Sequence, residues 1–394
     1  MTRPDRVLFV TRRYPPSVGG MEQLSYKITT LVGARRRVMA MPGSQRNLVW
    51  WLPLTAVRAA AAARRADVVH LSDAVLSVVG VLVRAVSRTP VVMTVHGLDL
   101  TFPSPVYQWY LRRFCRPHLV IAKSQATAQQ ARAHGLGPVV VVPLGVDDRP
   151  ATPTVELPPE VARLLAASSR IVLTTGRLVA RKGVAWFVAE VLPQLPGDVA
   201  YVVVGEGSAR PSIEAAVAAS GTHDRVVLLG RVPDTQRDAL YAAAGCFVMP
   251  NVVVPGDMEG FGLVALEASV TGLPVVAARL EGIADAVHDG RNGVLVETRD
   301  TAGFAKRVLE ALELPPERRT AIREYTLSHF SWQAMADGYD RAIAEHLVRS
   351  PAGRWRTHPD VGRDQGHGGS QEEVGQRAHR ALDRVLGSEP RWLG

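Results

Sequence analysis

Cysteine is nearly missing from this chain. Cys115 and Cys246 are the only two in 394 residues, far apart. That excludes a disulfide framework and a thiolate metal cluster, and it fits a reducing compartment. Long apolar runs are missing as well. The longest, AVLSVVGVLV at 74–83, is about half of what a membrane-crossing helix needs, and the run in the opening MTRPDRVLFV is too short for a secretory signal. Acidic residues are scarce in the first half only. Residues 1–150 carry 20 basic and 7 acidic side chains, a net +13, whereas residues 151–350 carry 19 and 24, a net −5. A basic excess confined to one half points to an anionic partner there, with membrane phosphates and nucleic acid as candidates and a plain arginine-rich bias as the alternative.

What is present is a repeated alternation. Short apolar runs that fit buried strands occur at 6–10, 67–71, 90–95, 119–122 and 138–143, separated by Ala-, Arg- and Leu-rich helical stretches. A second series follows at 170–176, 199–205, 225–230, 246–250, 274–278 and 293–297. Between the series lies LGVDDRPATPTVELPPE, 144–160, whose prolines and lack of large apolar residues mark a linker. This pattern predicts an α/β protein of two doubly wound parallel-sheet halves facing a cleft, residues 1–150 and 151–332. A helix spanning SWQAMADGYDRAIAEHL (331–347) ends the patterned region. Residues 351–394, rich in Gly, Arg and His without periodicity, are expected to be disordered apart from a short helix near 371–386.

Three turns of the second half carry chemistry. TTGRLVARKG places Arg177 and Lys182 five residues apart at a strand's end, where a planar fork and a compact charge can converge on a diphosphate. A solvated helix start is the plainer alternative. VVVGEGSARPSI brings Gly205 and Gly207 into a strand–turn–helix that resembles a phosphate cradle, though it lacks the third glycine of the dinucleotide fingerprint. GDMEGFGLVALEAS, 256–269, sets Glu259 on a loop and Glu267 about one turn inside the helix that follows, with the N–H groups of Gly260, Phe261 and Gly262 at the helix start. The two carboxylates suit sugar hydroxyls, one for a hexose and one for a ribose. Alternatively, Glu259 caps the helix and Glu267 pairs with an arginine.

The spacing Glu259-x7-Glu267 behind Gly176-Arg177-x4-Lys182-Gly183 resembles retaining glycosyltransferases of the GT-B fold, the glycogen-synthase-like family 4 group. PPSVGGMEQ (15–23), VHGLD (95–99) and FSWQAMADGY (330–339) extend the likeness over residues 5–348. The resemblance implies that Gly19 and Gly20 face the donor phosphates and that His96 stands near the reacting sugar. Arg177 and Lys182 would neutralise the leaving diphosphate, and Glu259 and Glu267 would hold sugar and ribose. Phe261, Gly262 and Leu263 would touch sugar and phosphates through the main chain, with the base near Arg231 and Val232. It also implies that the last helix, 333–350, crosses back onto the first half.

The likeness is incomplete in two places. The family's usual Gly-Gly and Glu after the next strand read LEGIADAV here, with Glu281, Gly282 and Asp285, and the first half is short for the family. No cofactor is expected, the nucleotide-sugar being a substrate. No essential metal is expected either, because the adjacent carboxylates Asp147 and Asp148 sit in the linker. A glycan phosphorylase would share the fold but need a lysine-bound pyridoxal, and a nucleic-acid binder would need a module that does not appear. In the first half, NLVWWLPLTAVRAAAAARRA (47–66) and YQWYLRRFCRPH (107–118) set aromatics beside arginines, as at a membrane interface, or as on an ordinary amphipathic helix. The expected protein is thus a cytoplasmic, peripheral glycosyltransferase with a lipid-linked or envelope glycan acceptor. A soluble acceptor and a non-catalytic sugar-binding protein are the alternatives.

Overall fold

The computed structural model describes residues 4–16, 19–152, 155–167, 169–349 and 355–357. Two six-stranded parallel sheets organise it. The first contains β1 (Arg6–Thr11), β2 (Arg35–Ala40), β3 (Val68–Leu71), β4 (Val91–Val95), β5 (Leu119–Ala122) and β6 (Val139–Val141), in the order β2-β1-β3-β4-β5-β6. The second contains β7 (Arg170–Thr175), β8 (Val199–Val204), β9 (Val226–Gly230), β10 (Cys246–Met249), β11 (Val275–Ala278) and β12 (Val294–Val296), in the order β12-β11-β10-β7-β8-β9. Helices connect the strands and cover both faces. The central strands are mostly apolar, as burial on both faces favours, and those at the centre of each sheet are almost wholly buried.

One strand escaped the apolar-run criterion. β2 reads RRRVMA and is mostly exposed. It is an edge strand paired only with β1, so one flank meets water and arginines cost it nothing.

The strand orders fix where ligands go. Each sheet reverses direction once, between β1 and β3 and between β7 and β10. At such a reversal the loops beyond the two strands part in opposite directions and leave a crevice at their carboxyl ends. The start of the loop after β1 (12–16) and the turn after β4 (96–97) lie at these ends in the first half, and the loops after β7 (176–183) and β10 (250–262) in the second.

The helix Trp332–His346 packs on the first sheet. Tyr339 shares a hydrogen bond with Thr94 on β4 (2.9 Å), and Asp340 accepts from the Gly33 N–H (3.2 Å). Phe330, Trp332, Met335 and Tyr339 belong to the same buried cluster as Val7, Phe9, Val92 and Ile121. Where the linker meets this segment the Val146 N–H donates to the Phe330 carbonyl (2.7 Å), and Gly145 lies against the main chain of Ser331 and Trp332. Within the stretch expected to be disordered, Trp355–Thr357 pairs antiparallel with Leu347–Arg349, a correction to that expectation. The helix expected near 371–386 lies outside the described residues.

A Cβ on Gly145 would collide with the backbone N and Cα of Trp332, and backbone cannot rotate away. Gly145→Ala should therefore destabilise the protein by about 1–3 kcal/mol, seen as a lowered Tm. Gly197→Ala, where a Cβ would meet nothing within 4 Å, is the control and should leave Tm in place.

Candidate active site

The loops after β7 and β10 are held against each other at glycines. Gly183 has φ +66° and sits where a Cβ would strike the Pro250 carbonyl. The Val252 N–H donates to the Arg181 carbonyl (2.9 Å), and Thr174 Oγ1 to that of Val248 (2.7 Å). This clamp buries Arg181 and Lys182 and aims both at one oxygen. Glu259 Oε2 takes Lys182 Nζ at 2.7 Å, Arg181 Nη1 at 2.8 Å and Asn251 Nδ2 at 3.3 Å. Arg181 also bridges Asp257 (2.9 Å). Glu259 Oε1 makes no hydrogen bond among the described residues. Burial would raise the Glu259 pKa, but Lys182 and Arg181 outweigh it and hold it at about 2, so the carboxylate is ionised with one oxygen free to accept.

Two cavities meet at this carboxylate. One, about 620 Å³, is lined by Arg12, His96, Asp99, Lys123 and the 257–263 loop; the other, about 820 Å³, by Gly19, Arg149, Lys182, Asp238 and Glu267. Gly20, Arg177, Arg181, Glu259 and Leu263 line both. Arg177 is exposed, and its side chain makes no hydrogen bond or ion pair among the described residues, leaving a free guanidinium at the junction. His96 is pinned by its own turn: its N–H donates to Asp99 (2.8 Å), and its ring Nε2 lies 2.7 Å from the Ser72 carbonyl. Because a carbonyl only accepts, Nε2 carries the proton and Nδ1, buried without a partner, presents a lone pair. Desolvation, aided by Lys123, lowers the His96 pKa to about 4.

The other expected residues divide. Gly19 and Gly20 line the larger cavity and begin the helix Gly20–Leu31, and Gly262 (φ +91°) caps the helix Leu263–Ser269. Phe261 and Gly262 face the smaller cavity. Glu267 lines the larger cavity and, as in the plainer alternative, pairs with an arginine: Arg149 Nη2 at 3.0 Å, with the Tyr241 hydroxyl donating at 3.2 Å. Arg149 also bridges Asp238. Gly205 and Gly207 line neither cavity. They are glycines because their Cα atoms press on the carbonyls of Gly176 and Leu178, which shapes the Arg177 turn from behind. Arg231 and Val232 line neither cavity either. In the LEGIADAV turn the Glu281 carboxylate accepts from the Glu259 N–H, and Asp285 from the Gln125 N–H of the first half (2.9 Å). Asp147 pairs with Lys27 and Asp148 with Arg323 (2.6 Å).

Arg181, Asn251, Asp257, Arg149 and Lys123 were not singled out from sequence. Arg181 adjoins Lys182, and its own signal was that adjacency; the others come together only through the fold.

Two Rossmann-like halves closing on a cleft with a free carboxylate oxygen and converging cations define a GT-B glycosyltransferase. Residues 2–149 match the model for Glycosyltransferase Family 4, and 169–314 that for Glycosyl transferases group 1. A D-inositol 3-phosphate glycosyltransferase of Nocardia farcinica is 31% identical over 333 residues, covering 75% of this chain and 71% of that protein. The chain belongs to glycosyltransferase family 4. A GDP-mannose-dependent alpha-(1-6)-phosphatidylinositol monomannoside mannosyltransferase of Mycolicibacterium smegmatis is 28% identical over 272 residues, 66% of this chain and 71% of that one. The chain spans about half the length of other relatives, such as 54% of the Mycolicibacterium vanbaalenii D-inositol 3-phosphate glycosyltransferase, at 34% identity over 256 residues and 59% of this chain. Among solved structures, Anabaena HepE with UDP and glucose superposes with a TM-score of 0.65 at 20% identity, over 86% of this chain and 99% of that one. Sucrose-phosphate synthase of Thermosynechococcus elongatus gives 0.66 at 20% identity, over 86% and 98%.

Burial lowers the pKa of His70 to about 3 and of His118 to about 4, alongside His96. An unfolded chain takes up these protons near pH 6.5, so their contribution to stability is complete above that pH and is lost as pH falls through about 4. Tm should therefore decline between pH 6.5 and 4, less steeply in His96→Asn. An unchanged Tm across that window would contradict the buried neutral histidines.

Proposed function

We propose that this chain is a retaining, metal-independent hexosyltransferase that moves a hexose from a nucleotide-sugar to a lipid-linked or cell-envelope glycan acceptor. The observation that carries the proposal is the open Oε1 of Glu259 at the junction of two cavities, with Arg177, Arg181 and Lys182 gathered on the same spot. The larger cavity takes the nucleotide, its ribose toward Glu267, and the smaller takes acceptor and transferred sugar.

The bond between the anomeric carbon and the diphosphate oxygen breaks, and its electron pair stays on the diphosphate. Arg177 and Lys182 are placed to stabilise that growing charge, which supports a reaction without a divalent cation. The acceptor hydroxyl attacks from the face the diphosphate leaves, which retains configuration, and its proton passes to the departing phosphate oxygen. Glu259 orients the sugar, and neutral His96 offers Nδ1 to a substrate hydroxyl. The complexes of HepE with UDP and UDP-glucose and the GDP-mannose dependence of the M. smegmatis relative make UDP- and GDP-sugars the first donors to try.

Among the described residues no helix is long and apolar enough to cross a membrane. The helix Leu48–Ala63 leaves Val49 84% and Trp50 52% exposed, and the helix Pro105–Phe114 leaves Val106 76% and Trp109 55% exposed, with Arg112 and Arg113 beside them. Apolar rings among arginines support peripheral attachment to an anionic cytoplasmic membrane face. An acceptor free in solution is the second reading, favoured by the inositol-phosphate relatives.

Nucleotide release from a panel of UDP-, GDP- and ADP-sugars, with and without lipid extract, tests the reaction. One donor should respond, and Lys182→Ala should lower its turnover by about 10²–10³-fold. Near-normal turnover in that variant, or neither release nor binding of any nucleotide, would remove the enzyme reading. For the membrane, Trp50→Ala with Trp109→Ala should weaken cosedimentation with anionic vesicles at low salt. Absence of wild-type binding would leave the soluble acceptor.

A further inference from the structure

Two cations lining the smaller cavity, Arg177 and Lys123, have no counter-ion among the described residues, and Lys123 is the one set back from the junction. Lys123 follows β5 and leads into the turn capped by Ser124, whose hydroxyl accepts from the Thr127 N–H (3.1 Å). That turn docks on the second half: Thr127 Oγ1 donates to the Gly260 carbonyl (3.4 Å), and the Gln125 N–H to Asp285. The Lys123 side chain therefore runs across the seam between the halves and lines the smaller cavity. A Cβ built on Gly260 would lie 2.6 Å from Lys123 Cε and 2.8 Å from Nζ. Gly260, within the acidic motif, is the residue that leaves room for this ammonium.

Every other cation lining that cavity except Arg177 is matched: Arg12 by Asp73 (2.8 Å), Arg13 by Glu22 (3.3 Å), and Arg181 by Asp257 and Glu259. Lys123 makes no hydrogen bond or ion pair among the described residues, although it is half-buried. The carboxylates it senses are committed elsewhere. Asp99 accepts from the N–H groups of His96 and Ala74 (2.8 and 3.2 Å), and Glu259 Oε2 from Lys182, Arg181 and Asn251. Desolvation holds the Lys123 pKa below the ordinary lysine value, with Glu259 and Asp99 opposing at a distance. A partly desolvated ammonium with three donors and no protein acceptor is costly unless a ligand supplies one.

We propose that Lys123 is a specificity-determining residue that receives an anionic oxyacid group, a carboxylate or a phosphate, of the substrate in the smaller cavity. This rests on the proposed glycosyl transfer and narrows it. The anion comes either from the acceptor or from a carboxylate on the transferred sugar. Arg177 stands where the two cavities join and is reserved for the diphosphate. Lys123 sits deeper, across Gly260 and beside the pinned ring of His96.

The test compares wild type, Lys123→Met and Lys123→Arg, each first shown to keep the wild-type Tm. With the protein saturated by whichever of UDP, GDP or ADP binds it, inorganic phosphate and glucuronate are titrated by ligand-observed NMR. In parallel, UDP-glucuronate and UDP-glucose are compared for binding. If the acceptor bears the anion, a free anion binds wild type and its affinity falls about tenfold to a hundredfold in Lys123→Met, with partial recovery in Lys123→Arg and nucleotide affinity held within twofold. If the transferred sugar bears it, free anions show no Lys123 dependence and the preference for UDP-glucuronate over UDP-glucose falls by the same factor in Lys123→Met. The proposal is overturned if Lys123→Met changes neither. Should no nucleotide bind, the donor reading fails separately. The anion titration is then run alone, and a loss on Arg177→Ala or Lys182→Ala but not on Lys123→Met overturns the Lys123 assignment.

Discussion

The site depends on one buried charge cluster. Glu259 is the shared counter-ion of Arg181 and Lys182, and all three are shielded from water. Removing one partner from such a cluster leaves an unbalanced buried charge, at a cost of about 3–5 kcal/mol. The cluster also joins the loop after β7 to the loop after β10, so it defines the floor where the two cavities meet. Because three donors crowd onto Oε2, the direction of Oε1 is decided before any ligand arrives. The site is preorganised by charge, and substrate binding does not have to arrange it.

The same economy appears at Glu267. Its carboxylate is occupied by Arg149, from the linker, and by Tyr241. A carboxylate has more lone-pair directions than these two donors use, so the ribose hydroxyls of the proposed donor would join without displacing Arg149. The linker, whose sequence suggested only a spacer, thus supplies a side chain to the larger cavity. Arg323 holds that stretch of linker in turn, donating to the Arg149 carbonyl (2.7 Å).

Much of this was legible in the sequence, for identifiable reasons. Eleven of the twelve sheet strands are short, mostly apolar runs, and these announced themselves. β2 did not, since an edge strand carrying three arginines has no apolar period to detect. The Glu259–Glu267 and Arg177–Lys182 spacings were visible because each pair lies within one short stretch of chain. Arg149, Asn251 and Lys123 were invisible, because what places them in the cleft is a contact across the sheet or across the seam, and nothing local marks it. Gly205 and Gly207 were legible as glycines but not in their purpose. Close backbone packing and phosphate cradling ask for the same residue, and only the carbonyls of Gly176 and Leu178 distinguish the two.

The return of the last helix onto the first sheet has a consequence for how the chain is made. Phe330, Trp332, Met335 and Tyr339 complete a core begun by Val7 and Phe9, so more than three hundred residues separate the two sides of one packed layer. During synthesis the first half emerges long before its closing helix, while the second half has all six strands of its sheet within its own span. The half that is translated first is therefore the one whose core is completed last.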